Sequence, residues 1–383
     1  MKFTTGIFDE LAVQVKKVAQ KRDVINLSIG SPDIPPHPKI IEELTREVQN
    51  PQNYGYTLNP GLEELRGAVS LWYQKKYKVS IDKDEIIVLM GSQEGLAHLP
   101  LSIINPGELI LVPNPGYPIY EAAAHLAHAE IFYYPLLEEN NFLLNIEKLP
   151  KEILQSAKII FLNYPNNPLT TLATYEFFEK MVYYAKKYEI LLVNDLAYGE
   201  LTFDKTKSIS LLEIPGAKEV AVEFYSVSKS FNLAGIRVGF AAGKAKVISQ
   251  LKILKSNIDY GVFRPLQIAA LEAFRLQDII IPEIIEIYEK RRNVFIDTLK
   301  KWGWTIKPPK ATMFIWAKLP PGFKDSKAFA LELLSHTGVA VTPGIGFGSL
   351  GEGYVRIALV TDEQRLVEAS ERIGQYLQGR SNL

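Results

Sequence analysis

Seven short apolar runs punctuate the middle of the chain, at 86–90, 109–113, 130–134, 158–163, 190–194, 220–226 and 237–242. Most are continuous rather than alternating, the pattern of strands covered on both faces of a sheet. Stretches of helical periodicity lie between many of them, for example 95–104 and 174–188. Strands alternating with helices predict an α/β fold, with a three-layer α/β/α large domain around a seven-stranded, mostly parallel sheet. The last two runs are separated by only about a dozen residues, too short for the usual crossover helix, so an antiparallel strand is expected there.

Beyond Gly261 the rhythm changes. A long helical stretch over 265–302 is expected to be interrupted near Pro282, because proline removes a helical donor. Strands are expected at 312–318 and 354–359, and a closing helix over 362–378. That order suggests a smaller α+β domain. The expected division is an N-terminal arm with part of the small domain (1–38), a large domain (39–277) and a C-terminal small domain (278–383). No repeat, low-complexity tract or flexible linker stands out, so the two parts should pack closely.

Composition narrows the classes of function. The length of 383 residues suits two domains, and 47% hydrophobic content supplies a sizeable core. A formal net charge of zero argues against a nucleic-acid or membrane-surface partner. Without cysteine, disulfides and thiolate chemistry are excluded. The first twenty residues mix lysines with apolar residues at helical spacing and lack an unbroken apolar core, so a signal peptide is not expected. No run approaches the roughly 18 apolar residues of a membrane span. The expectation is a cytoplasmic enzyme with small-molecule substrates.

Four segments at expected strand ends carry candidate chemistry, where open α/β sheets bind their ligands. Gly91-Ser92-Gln93 opens a helix and could be an anion site or an ordinary capped helix. Asn163 to Thr170 is a proline-rich turn containing Asn167. Asp195 ends a buried run, which is costly for a carboxylate unless it is paired; a solvated loop residue is the alternative. Lys229 stands between Ser226, Ser228 and, eight positions on, Arg237. An amine beside hydroxyls and a guanidinium suits a phosphorylated aldehyde held as a Schiff base. Arg356, in an otherwise apolar late strand, would grip a carboxylate or form a structural salt bridge.

Together these runs resemble class I/II aminotransferases, enzymes dependent on pyridoxal 5′-phosphate, over most of the chain. The resemblance implies fold type I, with 39–277 as the cofactor-binding domain. It implies Lys229 on the aldehyde carbon as the catalytic amine and Asp195 on the pyridine nitrogen. Asn167 and Tyr198 would meet the phenolic oxygen, and Tyr117 would stack on the ring. Ser92, Gln93, Ser226, Ser228 and Arg237 would hold the phosphate. Arg356, Asn167 and Gly30 would receive the substrate α-carboxylate. Tyr56 would reach the phosphate of a neighbouring subunit, implying a homodimer with active sites at the subunit interface. One departure stands out: Asn167-Pro168 is followed by Leu169-Thr170 where the family carries Thr-Gly.

The runs 255–263, 341–348 and 351–356 look most like LL-diaminopimelate aminotransferases. They also occur, less completely, among alanine, aspartate and methionine aminotransferases. The implied substrates are an L-amino acid and a 2-oxo acid, with LL-diaminopimelate and 2-oxoglutarate as one such pair. Arg264 is a candidate for a second substrate carboxylate, with a surface salt bridge as the alternative. Related folds also carry out carbon–sulfur β-elimination, decarboxylation and acyl-CoA condensation, and a non-catalytic cofactor-binding regulator is a rival of another class. His125 and His128 are expected on a helix with no acidic neighbour at ligand spacing, so no metal is expected.

Overall fold

The computed structural model describes residues 7–381. The chain enters through the helix Ile7–Ala19 and a two-residue strand, β1 (Ile25–Asn26). All seven apolar runs then form one sheet: β2 (Ile86–Leu89), β3 (Leu109–Asn114), β4 (Glu130–Pro135), β5 (Ala157–Asn163), β6 (Leu191–Asp195), β7 (Ala221–Ser226) and β8 (Gly239–Gly243). Their spatial order is β2-β8-β7-β6-β5-β3-β4, and β8 alone runs antiparallel to its neighbours.

Period-two alternation divides each strand between two cores. Ile87, Ile159, Val193 and Phe224 face the helices Ser92–Ile103, Ile119–Leu126 and Ala245–Ile258, through Leu96, Leu99, Tyr120 and Ile248. Ile86, Ile160, Leu192 and Tyr225 face the other layer, which includes Glu63–Tyr77, Tyr175–Tyr188 and Arg264–Arg275. With both faces covered, β2, β6, β7 and β8 are buried at every position, which is why their sequences read as continuous apolar runs.

The C-terminal part adds β9 (Phe314–Lys318), β10 (Val339–Ala340), β11 (Thr342–Pro343) and β12 (Tyr354–Ala358). β12 lies between β11 and β9 in an antiparallel sheet, and β1 pairs in parallel with β10. The N-terminal strand is thereby tied to the C-terminal elements. Helix Glu363–Ser381 closes the chain.

Two expectations are corrected. The long helix breaks at Leu276, not at Pro282. Leu276 (φ −95°, ψ 5°) ends Arg264–Arg275 and opens Gln277–Lys301. Its N–H donates to the Glu272 carbonyl at 3.1 Å, while Ile279 and Ile280 N–H turn back to the Leu276 carbonyl, both at 3.0 Å. Pro282 lies inside the second helix close to its start, where the missing donor removes a single rung. The histidine pair also differs. His128 lies past the helix end with φ 53°, and His125 does have an acidic neighbour, Glu121, at 3.5 Å. Among the described residues, no three His, Cys, Asp or Glu side chains gather to hold a metal.

Candidate active site

The carboxyl ends of β2, β3, β5, β6 and β7 point the same way, and the antiparallel β8 begins at that same edge. This reversal returns the chain after Lys229 so that Arg237, just before β8, comes back beside the loop following β2. The edge opens into a cavity of about 690 Å³, also lined by Phe314, Arg356 and the N-terminal helix. Its volume lies within the range of small-molecule sites. Gly30, Ser92, Gln93, Tyr117, Asn167, Asp195, Tyr198, Ser226, Ser228, Lys229, Arg237 and Arg356 all line it.

Lys229 sits on the one-turn helix Val227–Ser230, started by Ser226, whose Oγ accepts the Ser228 N–H at 3.2 Å. The Ser226 and Ser228 hydroxyls lie 2.8 Å apart. Lys229 Nζ donates to the Gly30 carbonyl at 2.5 Å. Burial, then Arg356 and Arg237, push its pKa down to about 8, and Asp195 opposes them weakly. An amine so tuned is partly unprotonated near neutral pH, as a base or nucleophile requires. Arg237 adopts φ 55° and donates to the Ala234 carbonyl at 3.0 Å. Gly91, at φ 79°, has no room for a side chain: a Cβ would lie 2.5 Å from Arg237 Nη2. Glycine there lets the guanidinium lie against the opening of the helix Ser92–Ile103.

Asp195 ends β6, buried, with Oδ2 accepting from Tyr120 Oη at 2.9 Å and Oδ1 from the Ala197 N–H at 3.1 Å. Burial raises its pKa to about 6, against the lowering by Tyr120, Ala197 and Lys229. Asn163, its register partner on β5, donates to the Asp195 carbonyl at 2.7 Å and accepts the Asn167 N–H at 2.7 Å. That one side chain ties the two strand ends together. In the Asn167 turn, where the chain departs from Thr-Gly, Thr170 adopts φ 60° and its N–H donates to the Asn166 carbonyl at 2.9 Å.

Arg356, on β12, donates to Asn167 Oδ1 at 3.0 Å and to the Ser28 carbonyl at 2.9 Å. Its Nε is buried with no hydrogen-bond partner. The guanidinium lies over the rings of Phe314 (4.3 Å) and Phe347 (4.8 Å), and burial lowers its pKa to about 10. A Cβ on Gly30 would come within 2.7 Å of Phe314, so only glycine brings the backbone this close to Arg356. A buried, incompletely partnered guanidinium beside a half-buried amine is arranged for a carboxylate ligand.

The chain matches the family model for aminotransferase class I and II over residues 22–373. It belongs to that family. LL-diaminopimelate aminotransferase of Maridesulfovibrio salexigens is 44% identical over 369 residues, 96% of this chain and 94% of the relative. The enzyme of the same name from Moorella thermoacetica is 41% identical over 94% of each chain. Among solved structures, substrate-bound BacF from Bacillus subtilis superposes with a TM-score of 0.94 at 38% identity, covering 98% of this chain and 96% of that one. A probable N-succinyldiaminopimelate aminotransferase from Thermus thermophilus gives a TM-score of 0.91 at 36% identity, covering 96% and 99%.

Two expected positions lie elsewhere on this aminotransferase. Tyr56 is 88% exposed, outside the cavity, with its ring 5.3 Å from Tyr260. Arg264 is also outside it, in a separate surface depression shared with Tyr56 and Glu47. Gln93 reaches Tyr117, whose Oη donates to its Oε1 at 3.3 Å. Sequence reasoning did not single out Tyr120, Asn163, Ser28, Phe314 or Lys16, which line the cavity or contact its residues. Asn163 and Asp195 end neighbouring runs, a signal that was present. The others meet the site only through tertiary packing.

Proposed function

We propose that this aminotransferase moves an amino group between an L-amino acid and a 2-oxo acid on pyridoxal 5′-phosphate bound in the cavity. The observation that carries this reading is the meeting of a half-buried amine with pKa about 8, Lys229, and a buried carboxylate, Asp195, in a cavity that also holds Arg237 and Arg356. The donors suit the cofactor: Ser92, Ser226, Ser228 and Arg237 for a phosphate, and the unpartnered Arg356 Nε for an anion. When bound, the cofactor supplies a protonated pyridine ring that draws electrons from the substrate's α-carbon.

The protein's own residues do the rest. Lys229 would hold the cofactor's aldehyde group, and its amine would carry the proton to and from the substrate's α-carbon. Asp195, kept in place by Tyr120, Ala197 and Asn163, would hold a proton on the pyridine nitrogen. Asn167 and Tyr198 would bind the phenolic oxygen, and Tyr117 would pack on the ring. Arg356 receives the α-carboxylate beside the backbone of Gly30. The relatives' names support LL-diaminopimelate as the amino donor, and 2-oxoglutarate is proposed as the acceptor. Exposed Tyr54, Tyr56, Leu58, Ile258 and Tyr260 support a homodimer in which Tyr56 reaches the partner's site. No described helix is long and apolar enough to cross a membrane, and the absence of cysteine fits work in the cytoplasm.

An absorption spectrum of the purified protein, before and after addition of single amino acids, tests the reading. The bound-cofactor band should convert on mixing with the true donor and yield the matching oxo acid. Pyruvate, ammonia and a thiol from a sulfur amino acid would instead indicate a lyase.

A further inference from the structure

The helix Ile7–Ala19 presents Phe8, Leu11, Ala12, Val15 and Lys16 to the cavity. Spacings of three and four residues place these five on one helical face. Leu11 anchors the face, buried against Leu334 and Ala340. The last position breaks an otherwise apolar stripe with an ammonium. A lysine in a final helical turn ordinarily answers the helix dipole, and Lys17 does that equally well. Lys16 is distinguished by its place on the cavity-facing stripe.

The charge inventory of the cavity points the same way. Among the described residues, its lining carries four cationic side chains, Lys16, Lys229, Arg237 and Arg356, against the single carboxylate of Asp195. In the aminotransferase reading, Lys229 is the reacting amine, Arg237 serves the phosphate and Arg356 the α-carboxylate. Lys16 is the one cation left over. Among the described residues it forms no ion pair and no side-chain hydrogen bond. Lys16 is exposed at the cavity lining, and a flexible aliphatic stem of this kind can cover apolar surface while its charged head stays free to meet an anion.

We infer that Lys16 reads the side-chain carboxylate of a dicarboxylic substrate of the glutamate and 2-oxoglutarate class, while Arg356 holds the α-carboxylate. This rests on the amino-transfer reading of the same cavity and gives the distal carboxylate a contact from within it, whereas Arg264 lies outside, in the depression it shares with Tyr56. Among the described residues Asp195 is the only lining carboxylate, so a side chain ending in a lone ammonium meets no further counter-charge from them, which disfavours basic substrates.

The test is calorimetric titration of the holoenzyme with two inert probes, glutarate and butyrate, for wild type, Lys16→Ala, Lys16→Arg and Lys17→Ala. Lys16→Ala should weaken glutarate about three- to tenfold, in keeping with a partly exposed ion pair, and leave butyrate within about twofold. Lys16→Arg should restore glutarate, and Lys17→Ala should bind both probes as wild type does. The KM for 2-oxoglutarate should rise in Lys16→Ala with kcat nearly unchanged. Equal weakening of both probes, or unaltered glutarate binding, overturns the inference. The function itself is read separately, from conversion of the cofactor band by amino acids. A converting enzyme whose Lys16→Ala variant binds glutarate normally removes only the role of Lys16. Selective loss of glutarate without conversion by any amino acid upholds the carboxylate contact and removes amino transfer.

Discussion

Buried at the end of β6, Asp195 holds its pKa near 6, above the ordinary 3.8. Between those values the folded chain binds a proton that the unfolded chain has released. Stability therefore falls as pH rises through this window, and the cost is complete above about pH 6, on the order of 2–3 kcal/mol. Asp195→Asn should accordingly stabilise the cofactor-free protein by about 1–2 kcal/mol at pH 8, with a smaller gain at pH 5, while turnover collapses. Denaturant titration at the two pH values, beside an activity assay, checks both halves. Tyr120→Phe removes a bond that lowers the Asp195 pKa. Turnover should drop about tenfold, with the acid limb of kcat/KM moving to higher pH. Lys229→Ala should abolish turnover and retain some cofactor binding; normal transamination by that variant would sink the assignment. The chemical types of Lys229, Asp195 and Arg356 stood out in the sequence because each breaks an apolar or small-residue setting. Tyr120 did not, since an aromatic on a helix reads as core until a carboxylate is found against its hydroxyl.

At the scale of elements, the apolar runs located every strand of the large sheet. For β2, β6, β7 and β8 this is because burial on both faces leaves little choice of residue, whereas the edge strand β4 is mostly exposed or half-buried. The helix break was misplaced for a related reason. Proline advertises itself in sequence, whereas Leu276 turns the chain with backbone angles that many residues can adopt. The turn after β5 carries a local cost. Thr170 is β-branched yet sits at φ 60°, a conformation that suits glycine. Thr170→Gly should stabilise the protein by about 1 kcal/mol with activity retained, as thermal unfolding and an activity assay would show. Gly91 presents the opposite case. Gly91→Ala strains φ 79° and drives a methyl into Arg237, so it should weaken cofactor affinity far more than it lowers the melting temperature.

For the whole molecule, exposed aromatics around Tyr56 and Tyr260 make oligomeric state the informative measurement. Sedimentation should give a dimer, and Tyr56→Phe should weaken cofactor binding several-fold while leaving the dimer intact. Such relations between distant segments were the least legible part of the sequence. Lys16 looks like any lysine at a helix end until the fold turns its face toward the cavity. The same long reach sets the order in which the site can be completed. Lys229 meets Gly30 across 199 residues, and Arg356 meets Ser28 across 328. β1 cannot find β10 until residue 340 exists, and the Ala358 N–H closes onto the Leu27 carbonyl later still. A chain emerging from the ribosome in order therefore carries β1 unpaired until β10 has been made. The carboxylate clamp is assembled later again, once Arg356 exists, and a truncation before Tyr354 would leave Arg356 absent and the amine without its neighbour.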